Sequence, residues 1–198
     1  FIYNTFEKLM KAISKSLKKN DPNHLNLGIR YGYIEQLDDE LLRISKESFD
    51  ALSFNCYALS PDHEKMNHAL EISGLPMIIG EYHFGTVDRG LAQSLWQVNS
   101  QKERGDAFQY YTENAFAHRG LIGTGWFRWI DQNINGRTDG ENYNCGFIDV
   151  TDRPYPYMVD AAIEAAKSLY EIHSGTKTPF HQAPNAVGHS PIPLSLIH

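Results

Sequence analysis

The chain has 198 residues, 41% hydrophobic and 12% aromatic, a composition that suits one ordinary folded domain with a buried core and excludes a disordered polypeptide. Eighteen basic against twenty-four acidic residues give a net charge of −6, and the one basic run is the short Lys15 to Lys19, so neither nucleic acid nor an anionic membrane is expected as a partner. No apolar stretch approaches the roughly 20 residues of a membrane span, and Cys56 and Cys145 lack metal-type spacing and are too few for a disulfide framework. The chain therefore reads as soluble, with its compartment open: cytoplasmic, or secreted after removal of an upstream segment.

Helical and strand-like patterns alternate along the sequence. Phe6, Leu9, Met10, Ile13 and Leu17 repeat at the spacing of one helix face, and Asp21-Pro22-Asn23 ends that helix. A strand is expected at Leu25 to Tyr31, then a helix from Leu37 to Phe49. Ala51 to Leu59, ALSFNCYAL, predicts the second strand. Ser60 is suited to cap the helix Asp62 to Ile72, with Pro61 at its first position. Pro76 to Gly85, PMIIGEYHFG, predicts the third strand, and a helix follows from about Gln101 to His118. Leu121 to Ile130 predicts the fourth strand, and a long loop leads to a helix from Met158 to His173 that closes at Gly175. Thr176 to His198 holds four prolines and no periodicity, so residues 176–198 read as an irregular Pro-rich tail behind a domain of residues 1–175.

Strands and helices alternating through short links imply an α/β fold with a parallel sheet. A (β/α)8 TIM barrel needs eight such units in typically about 250 residues, so four units make half of one. A four-stranded doubly wound sheet is the structural alternative. No glycine-rich phosphate loop follows any strand, which speaks against its nucleotide-binding form.

The residues that could carry chemistry gather at the carboxyl ends of the strands, where such barrels place their active sites. Alternation puts Met77, Ile79, Glu81 and His83 on one strand face, with Glu81 at the terminus. Ser53, Asn55 and Tyr57 share a face of the second strand; Trp126 to Trp129, Asp131 and Gln132 close the fourth. Rings beside carboxylates and amides suit sugars, whose C–H faces stack while their hydroxyls take directional hydrogen bonds.

Four segments then reach a resemblance. LNLGIRYG, ALSFNCYALSP, PMIIGEYHFGTVDRG and GTGWFRWIDQNINGRTDGENYNCGFIDVTDRPYP resemble the second half of the β-agarases of glycoside hydrolase family 50, a branch of the clan of retaining TIM-barrel glycosidases. The likeness runs from about residue 20 to 173; a related galactosidase family of the same clan is the runner-up. It implies that the strands correspond to the fifth through eighth of a barrel. Glu81 then falls on the nucleophile, Tyr57 on a tyrosine that holds it, and Trp129 on the tryptophan flooring the sugar site. His83, Asp131, Gln132, Arg137, Glu141 and Asn142 become candidates for substrate contact. The implied partner is a polysaccharide or oligosaccharide, with no cofactor and no metal.

Retaining hydrolysis needs a second carboxyl about 5 Å from the nucleophile. By the resemblance that acid/base belongs to the fourth strand of a complete barrel, ahead of this chain's first helix, and is not in this chain. Glu35 is a weak substitute. Twofold dimerisation of the half-barrel would complete eight strands, hide two sheet edges and make Asp131 the nearest stand-in acid. The alternative to an enzyme is a catalytically inactive sugar-binding or structural half-barrel module. Asp131 to Gly136 matches the opening of a calcium loop, but Asn142 stands where its bidentate glutamate belongs. The histidines show no metal-ligand spacing, and no G-x-S-x-G offers a serine nucleophile.

Overall fold

The computed structural model describes residues 1–189, which form two compact units. The first comprises Phe1–Cys56, Asp62–Gly80 and Gly120–Gly125, and the second Tyr57–Pro61, Glu81–Arg119 and the residues from Trp126 onward.

In the first unit, α1 (Ile2–Asn20) ends on Lys18 and Lys19, cations suited to the negative end of the helix dipole. Its apolar stripe divides: Phe6 and Met10 pack on Ile44 and Phe49, while Leu9, Ile13 and Leu17 are exposed. The strand expected over Leu25 to Tyr31 shrinks to β1 (Arg30–Tyr31). The cause is local. The Asn26 backbone N–H donates to Asp50 (2.7 Å), its side-chain carbonyl accepts from Gly28 N–H (3.0 Å), and Gly28 takes a positive φ of 71°, so this stretch is a turn. A 3-10 turn over Ile34–Gln36 leads to α2 (Asp39–Ser48), capped by the Asp38 carboxylate accepting from Leu41 N–H at 2.9 Å.

β2 (Leu52–Asn55) and β3 (Met77–Tyr82) flank α3 (His63–Ser73) in sequence. The cap of α3 is Asp62, accepting from Glu64 and Lys65 N–H groups, rather than Ser60; a carboxylate is the stronger acceptor and adds a favourable charge at the helix start. With β5 (Leu121–Trp126) the strands form one parallel sheet in the order β1-β2-β3-β5, Arg30 lying opposite Ser53 and Tyr31 opposite Phe54. Leu52, Phe54, Met77, Ile79 and Leu121 are fully buried along it. The last residues of β3 and β5, Glu81, Tyr82 and Trp126, belong to the second unit.

The second unit is built on α4 (Gln101–Phe116) and α5 (Pro156–His173), preceded by β4 (Trp96–Gln97). Ser100 caps α4, and Pro156 opens α5 two residues before the expected start, at the position where its missing N–H costs nothing. The helices meet at Gly105, where a Cβ would lie 2.5 Å from the Tyr157 carbonyl oxygen. Over its described part the tail expected to be irregular has a single two-residue strand and is held to the unit by hydrogen bonds. Phe180 N–H donates to the buried Glu113 (2.7 Å), Asn114 donates to Phe180 O (3.0 Å), and β6 (Val187–Gly188) pairs antiparallel with β4. The remainder of the expected tail, residues 190–198, lies outside the described residues. Among the described residues no helix is long and apolar enough to cross a membrane.

Candidate active site

All the geometry below lies within the second unit unless stated. Glu81 stands at the carboxyl end of β3, and the Tyr57 hydroxyl donates to its Oε2 at 2.8 Å. Tyr57 sits two residues past β2 and packs against a cluster of Leu95, Tyr143 and Cys145 with Phe127 at its margin. Burial, and then the Glu81 carboxylate, push the Tyr57 phenol well above its ordinary pKa, so it stays a hydrogen-bond donor throughout the range where enzymes work.

His83 is buried rather than open to solvent. It is 2% exposed; its Nδ1 lies 3.1 Å from Phe127 O and its Nε2 accepts from Leu95 N–H at 3.1 Å. Burial pulls its pKa down to about 3, so the ring is neutral. Strand alternation ended before His83: the residues from Tyr82 to Thr86 are buried without a break.

Asp131 is likewise turned inward. At 4% exposure its carboxylate accepts from Tyr155 Oη (2.6 Å), Asn144 Nδ2 (2.8 Å) and Gly146 N–H (2.7 Å). The carboxylate proposed as a stand-in acid and as the opening of a calcium loop is thus engaged by three donors within the fold. The loop folds instead through an Asx turn at Asn133 and a glycine of positive φ at Gly136, and no group of three metal-ligating side chains occurs among the described residues.

Gln132 is fully buried and works as a brace: its carbonyl accepts from Tyr143 N–H (2.6 Å) and its amide donates to Glu141 Oε2 (2.8 Å). Glu141, half-buried, also pairs with Arg137 at 3.5 Å, and Arg137 lies 5.6 Å over the Phe127 ring. Glu141 acts electrostatically on both Tyr57 and Tyr143, which brings it into the neighbourhood of the Tyr57–Glu81 pair. The Asn142 side chain is spent on the fold, accepting from Ala92 N–H (3.2 Å) and donating to Ile134 O (3.3 Å). Trp129 is 68% exposed and stacks on Phe147, with ring centroids 6.0 Å apart and an interplanar angle of 22°. The other proposed acid, Glu35, sits in the first unit and pairs with Lys65 at 3.0 Å.

Sequence reasoning missed the frame behind these groups. Arg104, fully buried on α4, donates to Asn144 O (3.0 Å) and lies 4.4 Å over the Tyr155 ring. Gln101, one turn earlier, donates to Thr86, Asp88 and Asn144. The only sequence signal was a weak helical periodicity over 101–116, where charged residues occupy positions an amphipathic helix gives to its core. Burial pushes the Cys145 thiol up to about 12, which leaves it inert as a nucleophile.

No protein-family model matches the chain. It is 36% identical over 166 residues to β-agarase A of Vibrio sp. (strain JT0107), and 34% identical over 170 residues to β-agarase B of the same strain. These matches take in 80% and 82% of this chain but only 16% and 17% of the two curated proteins, so the chain spans a small part of their length. Among solved structures, the agarase AgWH50C superposes with a TM-score of 0.79 at 36% identity, over 84% of this chain and 24% of its own.

Proposed function

We propose, for a chain that is a β-agarase-like relative of the family 50 glycoside hydrolases, that Glu81 is the nucleophile of retaining hydrolysis of a β-linked galactose polymer of the agarose type. The observation that carries this reading is the 2.8 Å bond from Tyr57 to Glu81 at the end of a parallel strand. A phenol that cannot ionise near neutrality keeps donating to one carboxylate oxygen and so holds Glu81 in a fixed orientation. Glu81 would bond to the anomeric carbon as the glycosidic C–O bond breaks, giving a covalent glycosyl-enzyme. Water would then displace Glu81 with overall retention, its proton passing to the acid/base carboxyl.

Trp129 supplies an exposed ring on which a sugar face can stack, fixed from behind by Phe147. Glu141 and Arg137 are the polar groups placed to meet sugar hydroxyls, with Gln132 orienting Glu141. The acid/base lies outside this chain in our reading, since Glu35 is ion-paired with Lys65 and Asp131 is buried. The same commitment of both carboxylates favours a second reading, in which the chain by itself binds sugar without cleaving it. For architecture, we infer half of a TIM barrel completed by a second copy, because β1 and β5 are the open edges of the sheet.

Azide tests the catalytic reading. With an aryl galactoside whose leaving group needs no protonation, the protein should form β-configured galactosyl azide, and Glu81→Gln should form none. Turnover by Glu81→Gln at an unchanged rate would end the assignment. Binding of galactose oligomers without turnover of any activated substrate would favour the sugar-binding module.

A further inference from the structure

Two residues beyond Glu81, the His83 ring is held at both nitrogens. Phe127 O can only accept, so Nδ1 carries the proton; Leu95 N–H can only donate, so Nε2 must be bare. One neutral tautomer satisfies both partners, whereas an imidazolium would turn a second N–H against the Leu95 N–H. The ring thereby ties the end of β3 to the residue after β5 and to the segment before β4. Leu95 is itself anchored from the tail, its carbonyl accepting from His189 N–H at 2.8 Å.

The same ring is the wall against which the nucleophile's partner packs. The Tyr57 ring meets His83 edgewise at a centroid distance of 4.9 Å and 66°, and Tyr143 closes on it at 5.8 Å and 73°. The Tyr57 hydroxyl is the atom that holds Glu81. The Tyr57 ring therefore lies between the His83 ring and that bond.

We propose that His83 is a positioning residue for the Tyr57–Glu81 pair, acting as a neutral imidazole of fixed tautomer, bonded to Phe127 and Leu95 and packed against Tyr57, without touching the sugar. This rests on the reading of Glu81 as nucleophile. Tight positioning of a reacting group is worth far more in rate than in binding, because a displacement of about 1 Å can cost roughly a hundredfold.

The test uses the intact protein and two variants, His83→Phe, which keeps a ring and loses both hydrogen bonds, and His83→Asn, whose amide can restore the bond to Phe127 O. Two readouts apply. By NMR, the wild-type His83 should show a protonated Nδ1 and a bare Nε2, and the Tyr57 hydroxyl proton should be slow to exchange. That proton signal should be lost in His83→Phe and regained in part in His83→Asn. With an activated aryl galactoside, kcat should fall at least about tenfold in His83→Phe while KM stays within about twofold, and His83→Asn should recover part of the loss. If His83→Phe fails to fold, the Asn variant and the tautomer measurement decide. An unperturbed Tyr57 hydroxyl signal, a proton on Nε2, or a change in KM with unchanged kcat would overturn the proposal. Glu81→Gln in the same assay separates the two claims: a live Glu81→Gln removes the nucleophile reading, whereas a dead one beside a fully active His83→Phe removes only the role given to His83.

Discussion

Asp131 holds Tyr155, Asn144 and Gly146 through one buried carboxylate, with the buried Arg104 guanidinium held to the Asn144 carbonyl and stacked on Tyr155. Removing one member of such a buried set strands the others, so Asp131→Ala should lower stability by roughly 3 kcal/mol or more in chemical denaturation. A variant of wild-type stability with a lost catalytic acid limb would instead restore Asp131 as an acid. His83 predicts a pH effect of definite sign. Its pKa falls from an ordinary 6.5 to about 3 on folding, so the unfolded chain binds the extra proton between those values. The stability its neutral ring contributes is fully present above about pH 6.5 and is lost as pH falls toward 3, by up to about 1.4 kcal/mol per pH unit. His83→Phe should flatten that part of the stability–pH curve relative to wild type; parallel curves would contradict the buried neutral assignment. The place of Glu81 at the end of a strand was legible in the sequence because alternation alone finds it, whereas the pairing of Tyr57 with Glu81 was suggested only by the resemblance. His83, Asp131 and Asn142 are candidates for substrate contact only through the resemblance, and a shared segment does not reveal the burial and hydrogen bonds that tie their side chains into the fold.

At the level of elements, α4 and α5 approach so closely at Gly105 that a methyl group would meet a backbone oxygen at 2.5 Å, with no flexible side chain to give way. Gly105→Ala should therefore destabilise the second unit by about 1–3 kcal/mol, measurable as a lower midpoint in urea; an unchanged midpoint would mean the helices part freely. Gly146 is tighter still, a Cβ there lying 2.3 Å from both Asp131 N and Ile148 O, so this glycine keeps the loop folded over Asp131. The order of strands and helices followed from periodicity, and every expected helix formed. Boundaries did not follow as well, because turns consume backbone groups that a strand pattern leaves unassigned: Asn26 shortened β1 in this way. β6 was invisible because a two-residue strand has no period to detect, and its partner β4 is equally short.

For the molecule as a whole, the sheet order β1-β2-β3-β5 leaves two edge strands, and Leu25, Leu27, Ile29 and Ile122 are exposed. A dimer that pairs these edges would sediment at about twice the mass of one chain at micromolar concentration. A stable monomer that binds no dye for exposed apolar surface would contradict closure by a second copy. Catalysis by the chain should be confined to substrates with good leaving groups, since a general acid typically contributes about a hundred- to ten-thousandfold. The central claim remains the covalent role of Glu81, and the most direct measurement is trapping: a fluorinated, activated β-galactoside that accumulates the glycosyl-enzyme, followed by mass mapping of the labelled peptide. The account predicts one sugar per chain on the peptide containing PMIIGEYHFG, at Glu81. A label on Glu141, Asp131 or any other residue would contradict it.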